Sequence, residues 1–171
     1  MISVPAKSEE NVRDSWAGAF NYKALGQMVD TMQIMTYDQH GPWSEPGPIA
    51  GLDWVQECIN YAKTVIPAEK ISIGIPAYVY EWNLSNGKGQ EVPWRDLPER
   101  IGANPIKWDA ASSSPYVELT ESGMNYVLWF ENKQSLRLKM DFARSSGVQG
   151  ISVWALNDEN AEFWEDLLGT T

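Results

Sequence analysis

Met35-Thr36-Tyr37-Asp38-Gln39-His40-Gly41-Pro42-Trp43 places a phenol, a carboxylate and an indole within seven residues. A carboxylate can orient or exchange a proton, a phenol can donate one firm hydrogen bond, and an indole offers a flat apolar surface. The cluster follows an apolar run, Met32-Gln33-Ile34-Met35, and ends in a Gly/Pro turn. Such a run emptying into a polar loop reads as a buried strand, and in parallel α/β proteins ligands bind at that strand end. An acid beside a sugar-sized aromatic surface suggests a carbohydrate site.

The elements that must position this cluster are legible as alternating strands and helices. Ile2 to Ala6 is a short strand candidate, held to an end or edge by Pro5. Phe20 to Val29 carries Phe20, Ala24, Leu25 and Met28 at helical spacing, and a second strand runs from Met32 to Tyr37. Gly51 to Ile66 is the cleanest helix, with Leu52, Val55, Ile59, Ala62 and Ile66 at steps of three and four, and Pro67 ends it. Ile71–Pro76 and Gly150–Trp154 are the third and fourth strands. Ser135 to Phe142 alternates like a strand but also fits a helical face capped by Asn132. A crossover helix is what its position needs, so we read it as helix. A last helix spans Glu159 to Leu168. Helices between strands predict an α/β fold with a parallel sheet.

Between Val79 and Glu131 the rhythm breaks. Gly87-Lys88-Gly89, Pro98, Pro105 and Ser112-Ser113-Ser114-Pro115 punctuate short segments such as Ile106–Trp108, Tyr116–Leu119 and Tyr126–Phe130. We read residues 79–130 as a small, mainly β insertion subdomain, and 1–78 with 131–171 as the principal α/β unit.

Composition bounds the function. A chain of 171 residues suits one domain. Its net charge of -10 and pI of about 4.5 repel phosphate backbones and anionic bilayers, so neither nucleic acid nor membrane is an expected partner. No apolar run reaches the ~20 residues of a membrane span. Met1-Ile2-Ser3-Val4-Pro5 meets charge too soon for a secretory leader. One cysteine, Cys58, and one histidine, His40, exclude an internal disulfide and a Cys/His metal cluster, and no cofactor is expected. Cys58 reads as a buried inert thiol and His40 as a loop hydrogen-bonding residue. Nine tryptophans and seven tyrosines are the anomaly. We assign Trp16, Trp54, Trp108 and Trp129 to packing, with Glu81, Trp82 and Trp94 as candidates to line a cleft.

Each strand ends in a suggestive residue: Lys7, then Tyr37 and Asp38, then Tyr78 and Tyr80, then Trp154. Lys7 alone reads as a solvated strand-end charge, and Asp158 with Glu159 as negative charge at a helix N-terminus. The ordered set Met35-x-Tyr37-Asp38 with His40-Gly41 and Trp43, Gly74-Ile75-Pro76-Ala77-Tyr78, and Gly150 to Leu156 with Asp158-Glu159 and Phe163-Trp164 resembles the family 18 glycoside hydrolases. Within them it is most similar to chitinase-like bacterial spore-cortex and cell-wall enzymes. The resemblance covers nearly the whole chain.

It implies a (β/α)8 TIM barrel of which this chain supplies the fifth to eighth βα units. The family's acid motif, Asp-x-x-Asp-x-Asp-x-Glu, occurs nowhere in the sequence. The implied general acid must therefore come from a missing N-terminal half-barrel or a second copy of the chain, as a homodimer. By the same resemblance the substrate is a polymer containing N-acetylglucosamine, chitin or peptidoglycan, and its own acetamido oxygen is the nucleophile. Tyr37 would donate to that oxygen, and Asp38 would orient the absent acid and raise its pKa. Met35 would line the floor that Trp154 forms, and Trp43 and Tyr78 would contact neighbouring sugars. Where the family commonly carries Gly then Arg after that tyrosine, Val79 and Tyr80 stand here. The implied setting is extracellular, cell-wall or spore-associated. Two further readings are a non-catalytic carbohydrate-binding module and a self-associating half-barrel.

Overall fold

The computed structural model describes residues 1–169. Strands β1 (Ile2–Pro5), β2 (Met32–Met35), β3 (Ile71–Pro76) and β9 (Gly150–Trp154) form a parallel sheet in the order β1-β2-β3-β9. It is an open sheet: β1 and β9 each pair on one side only among the described residues. Helices α1 (Tyr22–Met28), α2 (Leu52–Val65), α4 (Lys133–Ser146) and α5 (Ala161–Leu168) complete this layer.

The period-2 pleat sorts the strand residues into two faces. Val4, Ile34, Ile73 and Ile75 are fully buried in the core together with Val55, Ile59 and Ala62 of α2. The alternate positions Ser3, Gln33, Ser72 and Ser152 make the other face small and polar. Ser3 Oγ donates to Gln33 Oε1 at 2.9 Å, and the hydroxyls of Ser72 and Ser152 meet at 2.6 Å.

The stretch around Leu136 is helix, because Asn132 caps it with a reciprocal box. Asn132 Oδ1 accepts from the Ser135 amide at 3.0 Å and the Ser135 hydroxyl accepts from the Asn132 amide at 2.9 Å. The last helix begins two residues later than the sequence suggests. Asn160, whose side chain accepts from Phe163 N at 3.0 Å, is its cap, so Asp158 and Glu159 lie outside it.

A second, antiparallel sheet has the order β5-β4-β8-β7-β6. Its strands are β4 (Tyr78–Asn83), β5 (Lys88–Pro93), β6 (Lys107–Asp109), β7 (Ser114–Glu121) and β8 (Met124–Trp129), with the short helix α3 (Leu97–Ile101) between β5 and β6. Ser122 and Gly123, with φ of 50° and 77°, form the two-residue turn between β7 and β8, where both central positions need positive φ. Tyr78 and Tyr80 therefore stand in a strand, not in a loop after β3. Large aromatics at every second position satisfy a pleated ribbon that follows β3 across Ala77 alone.

Candidate active site

The site is built where β2 runs out. Thr36 N closes back onto Ile34 O at 2.8 Å while its hydroxyl donates to Gly74 O at 2.8 Å, which turns the chain over β3. Tyr37 is thereby laid on Gly74: a Cβ there would stand 2.7 Å from ring carbon Cε1. Asp38 follows with a φ of 63°, a left-handed conformation that a small polar side chain tolerates.

Asp38 Oδ1 accepts two phenol hydrogen bonds, from Tyr78 at 2.5 Å and from Tyr80 at 2.8 Å. Both donors project from one face of β4, and Trp82 continues that row. Ring centroids run 6.3 Å from Tyr37 to Tyr78, 5.1 Å to Tyr80 and 5.9 Å to Trp82, with Trp43 6.0 Å from Tyr80. Trp82 is buried, and its indole N–H donates to Ser44 O at 3.1 Å, which holds the loop that carries Trp43. His40 Nδ1 lies 3.3 Å from Glu45 O in the same loop, the local role its context suggests.

Met35, Tyr37, Asp38 and Trp43 line a hollow of about 550 Å³, within the range of ligand clefts, together with Pro5, Ala6, Trp16 and Trp54. The Tyr37 hydroxyl and Asp38 Oδ2 have no protein hydrogen-bond partner among the described residues. The hollow thus offers one donor and one acceptor beside an exposed indole. Trp154 does not line it. Register places Trp154 opposite Pro76 on the helix-free face, the face on which the Tyr37 ring covers Gly74 one strand away. Trp154 is 57% exposed.

Burial, and then the charge of Asp38, push the Tyr37 phenol up to about 12. The same two causes drive Tyr78 far higher, and Tyr80 is raised by burial and by its hydrogen bond to Asp38. All three stay neutral donors at physiological pH. Glu91, an exposed residue directly across from Tyr80 on β5, is raised by the desolvation its neighbours impose, then by Asp158 and Asp38. A raised carboxyl means that the folded protein binds protons more readily than the unfolded chain, so stability falls as pH rises through that window. Glu91→Gln should therefore raise the thermal midpoint at neutral pH and change it little in acid. Melting curves at the two pH values check this, and an equal effect at both counts against the electrostatic origin.

Several sequence assignments are corrected here. Lys7 is buried, not solvated, because its ammonium donates to Phe20 O at 2.7 Å and pairs with Glu10 at 3.2 Å. Glu81 points away from Tyr80 by strand alternation and is bound by Arg100 and by Gln90 at 3.0 Å. Trp82 and Trp94 are structural, and Trp94 donates to Glu131 O at 2.6 Å. Cys58 is fully buried, and burial pushes its thiol up to about 12, as an inert residue requires. Trp16, assigned to packing, is 72% exposed, and Trp54 joins it along the hollow. The signal for Trp16 was its polar context, Asp14-Ser15-Trp16-Ala17-Gly18. Among the described residues no group of three or more His, Cys, Asp or Glu side chains is placed to hold a metal ion.

Residues 1–159 match the model of the glycosyl hydrolases family 18. The uncharacterized glycosylase YvbX of Bacillus subtilis (strain 168) is 33% identical over 169 residues, 96% of this chain and 49% of that protein. The chitinase of Chromobacterium violaceum ATCC 12472 superposes with a TM-score of 0.91 at 34% identity, covering 97% of this chain and 53% of that one. The Bacillus cereus spore cortex-lytic enzyme SleL gives 0.88 at 28% identity, covering 97% and 40%. The chain thus spans about half the length, or less, of the proteins it matches.

Proposed function

The chain belongs to the glycosyl hydrolases of family 18, and we propose that it forms the acetamido-binding side of a glycosidase that cleaves β-1,4 bonds in N-acetylglucosamine polymers, chitin or peptidoglycan. In this reading its four parallel βα units are the fifth to eighth of a (β/α)8 barrel, with residues 79–130 as an inserted subdomain. The observation that carries it is the doubly anchored Asp38 beside a neutral Tyr37 hydroxyl over an aromatic-walled hollow.

The chemistry asks little of these residues but asks it accurately. The substrate's acetamido oxygen forms a bond to the anomeric carbon as the glycosidic C–O bond breaks, and an acid protonates the leaving oxygen. Tyr37, a neutral phenol, donates to the acetamido oxygen and holds it at attacking distance. Asp38 Oδ1 is occupied by its two phenols, so Oδ2 faces the acetamido N–H or the acid. Its negative charge favours the positive ring formed in the first step and raises the pKa of a neighbouring acid. Trp43 buries the apolar face of an adjacent pyranose and Met35 supplies apolar floor within the hollow, while the exposed Trp154 indole, outside it on the same sheet face, meets only the part of a sugar that reaches past the hollow. The proton donor comes from outside these residues, from an N-terminal half-barrel or a second copy. Alone, the chain binds glycan without cleaving it. The unpaired edges of β1 and β9 support such completion. The spore cortex-lytic relative suggests a cell-wall or spore setting.

Titration with N-acetylglucosamine oligomers followed by tryptophan fluorescence tests the reading. Trp43→Ala should weaken binding about tenfold, about 1.4 kcal/mol, and leave the unfolding midpoint unchanged, because Trp43 is 68% exposed. A wild-type chain that gives no saturable response sinks the proposal. The absent acid motif favours one second reading, a non-catalytic carbohydrate-binding module. It predicts that supplying the acid-bearing half-barrel in trans restores no hydrolysis.

A further inference from the structure

The pose of Trp43 is set by a surface outside the hollow. Gly41-Pro42-Trp43-Ser44 is a single reverse turn with proline at its second position. Ser44 N donates to Gly41 O at 2.9 Å and closes the turn, and the Ser44 hydroxyl locks it by accepting from Gly41 N at 3.1 Å. The exposed indole lies back over Gly41, where a Cβ would meet ring carbons Cη2 and Cζ2 at 2.5 Å. A turn this tight fixes the indole relative to Pro42 and Ser44. Whatever holds those two residues therefore aims the ring.

The hairpin of β4 and β5 holds both. Ser44 O accepts from the buried Trp82 indole on one side of the turn. On the other side Pro42 rests on Gly89, the residue directly opposite Trp82 in the register of β4 and β5. A Cβ on Gly89 would stand 2.6 Å from Pro42 Cα, 3.1 Å from Pro42 Cβ and 3.1 Å from Trp82 Nε1. A glycine inside a strand gives up packing and conformational entropy, and close approach of another backbone is a common reason for it. Here the approaching backbone is that of the Trp43 turn. Pro42 Cα has no rotamer by which to yield, so a side chain at position 89 makes room only by displacing the turn.

We infer that Gly89 is a positioning residue for the glycan site: its bare backbone seats the 41–44 turn on the insertion and so sets the depth and angle at which Trp43 meets a pyranose. Gly89 acts through Pro42, not by touching the sugar. The inference rests on the glycan reading of Trp43 and deepens it, because it assigns the pose of the indole to the insertion. The ends of the loop are closed separately. Gln39 N donates to Ile49 O at 2.9 Å and Gly51 N donates to Gln39 Oε1 at 2.8 Å, so a displacement at Pro42 is confined to the tip and leaves Asp38 in place.

A double-mutant cycle on the full chain tests this, with a pentasaccharide of N-acetylglucosamine titrated against wild type, Gly89→Ala, Trp43→Ala and the double variant. Gly89→Ala should weaken binding about five- to tenfold where Trp43 is present, and by no more than about twofold where it is alanine. In sugar-free protein the Trp43 indole N–H resonance should shift in Gly89→Ala, and an unmoved resonance overturns the inference. Wild-type affinity in Gly89→Ala also overturns it and leaves the glycan reading intact. So does an equal loss with and without Trp43, which makes Gly89 a general packing residue. A wild type that binds no oligomer removes the glycan reading and the inference with it. If Gly89→Ala does not fold, Trp82→Phe takes its place in the cycle, since it keeps a ring and removes the donor to Ser44 O. Its loss must likewise vanish in the Trp43→Ala background, and a loss that persists there, or none at all, overturns the inference.

Discussion

Glu131→Gln should lower the unfolding free energy by about 3–5 kcal/mol, the range for breaking a buried ion pair by removing one partner. Glu131 and Lys139 are each 1% exposed, and the ammonium donates to both carboxylate oxygens at 2.9 Å. The glutamine leaves a buried cation facing a neutral amide. Glu131 stands next to the cap of α4 and Lys139 lies on its buried side, so the loss falls on the helix that feeds β9. The double variant Glu131→Leu with Lys139→Met removes both charges and should recover most of the deficit. Urea unfolding midpoints at constant slope measure this. A glutamine variant within about 1 kcal/mol of wild type would mean the pair is hydrated in solution.

The second large effect is expected at Gly74, and it should be functional. An added methyl meets Ile34 O at 2.7 Å and the Tyr37 ring at 2.7 Å and 3.0 Å. The backbone oxygen cannot yield, so the ring must lift off the sheet. Gly74→Ala should cost about 1–3 kcal/mol by overpacking and weaken N-acetylglucosamine oligomers by about tenfold or more. Tyr37→Phe separates the two contributions, since it removes the hydroxyl and keeps the ring seated. Should Gly74→Ala bind like wild type, the pose of Tyr37 is irrelevant to recognition.

What the sequence carried and what it hid differ in kind. Ile71–Pro76 and Gly150–Trp154 were legible because each is a short run of alternating β-branched residues after a helical segment, and α2 because its stripe repeats at three and four. Asn132 announced α4 against a competing alternation, since capping is a local event. That Met35, Tyr37, Asp38 and Trp43 share one hollow was expected from motif order, whereas Tyr78 and Tyr80, expected to contact sugar, are buried outside that lining as the hydrogen-bond donors to Asp38. The pairing of both phenols with one carboxylate oxygen was not expected, because residues forty apart declare no hydrogen bond in advance. Tryptophans were least legible. Trp82 and Trp94 are buried because Ser44 O and Glu131 O accept their N–H groups, while Trp16 is exposed because Asp14 fixes its turn. Those partners lie in tertiary space or in side-chain geometry, and composition is blind to both. Lys7 was misread for the same reason: its acceptor, Phe20 O, is brought to it by the fold.

One ribbon serves both sheets, since β3 passes into β4 across Ala77 alone. Tyr78 and Tyr80 stand at the near end of that ribbon, and the turns at residues 84–87 and 122–123 both hang from its far end. Lengthening or grafting at those two tips should therefore alter the outer sheet while the Asp38 carboxylate clamp stays in register. They are the places where a lineage, or an engineer, can append structure without disturbing that carboxylate.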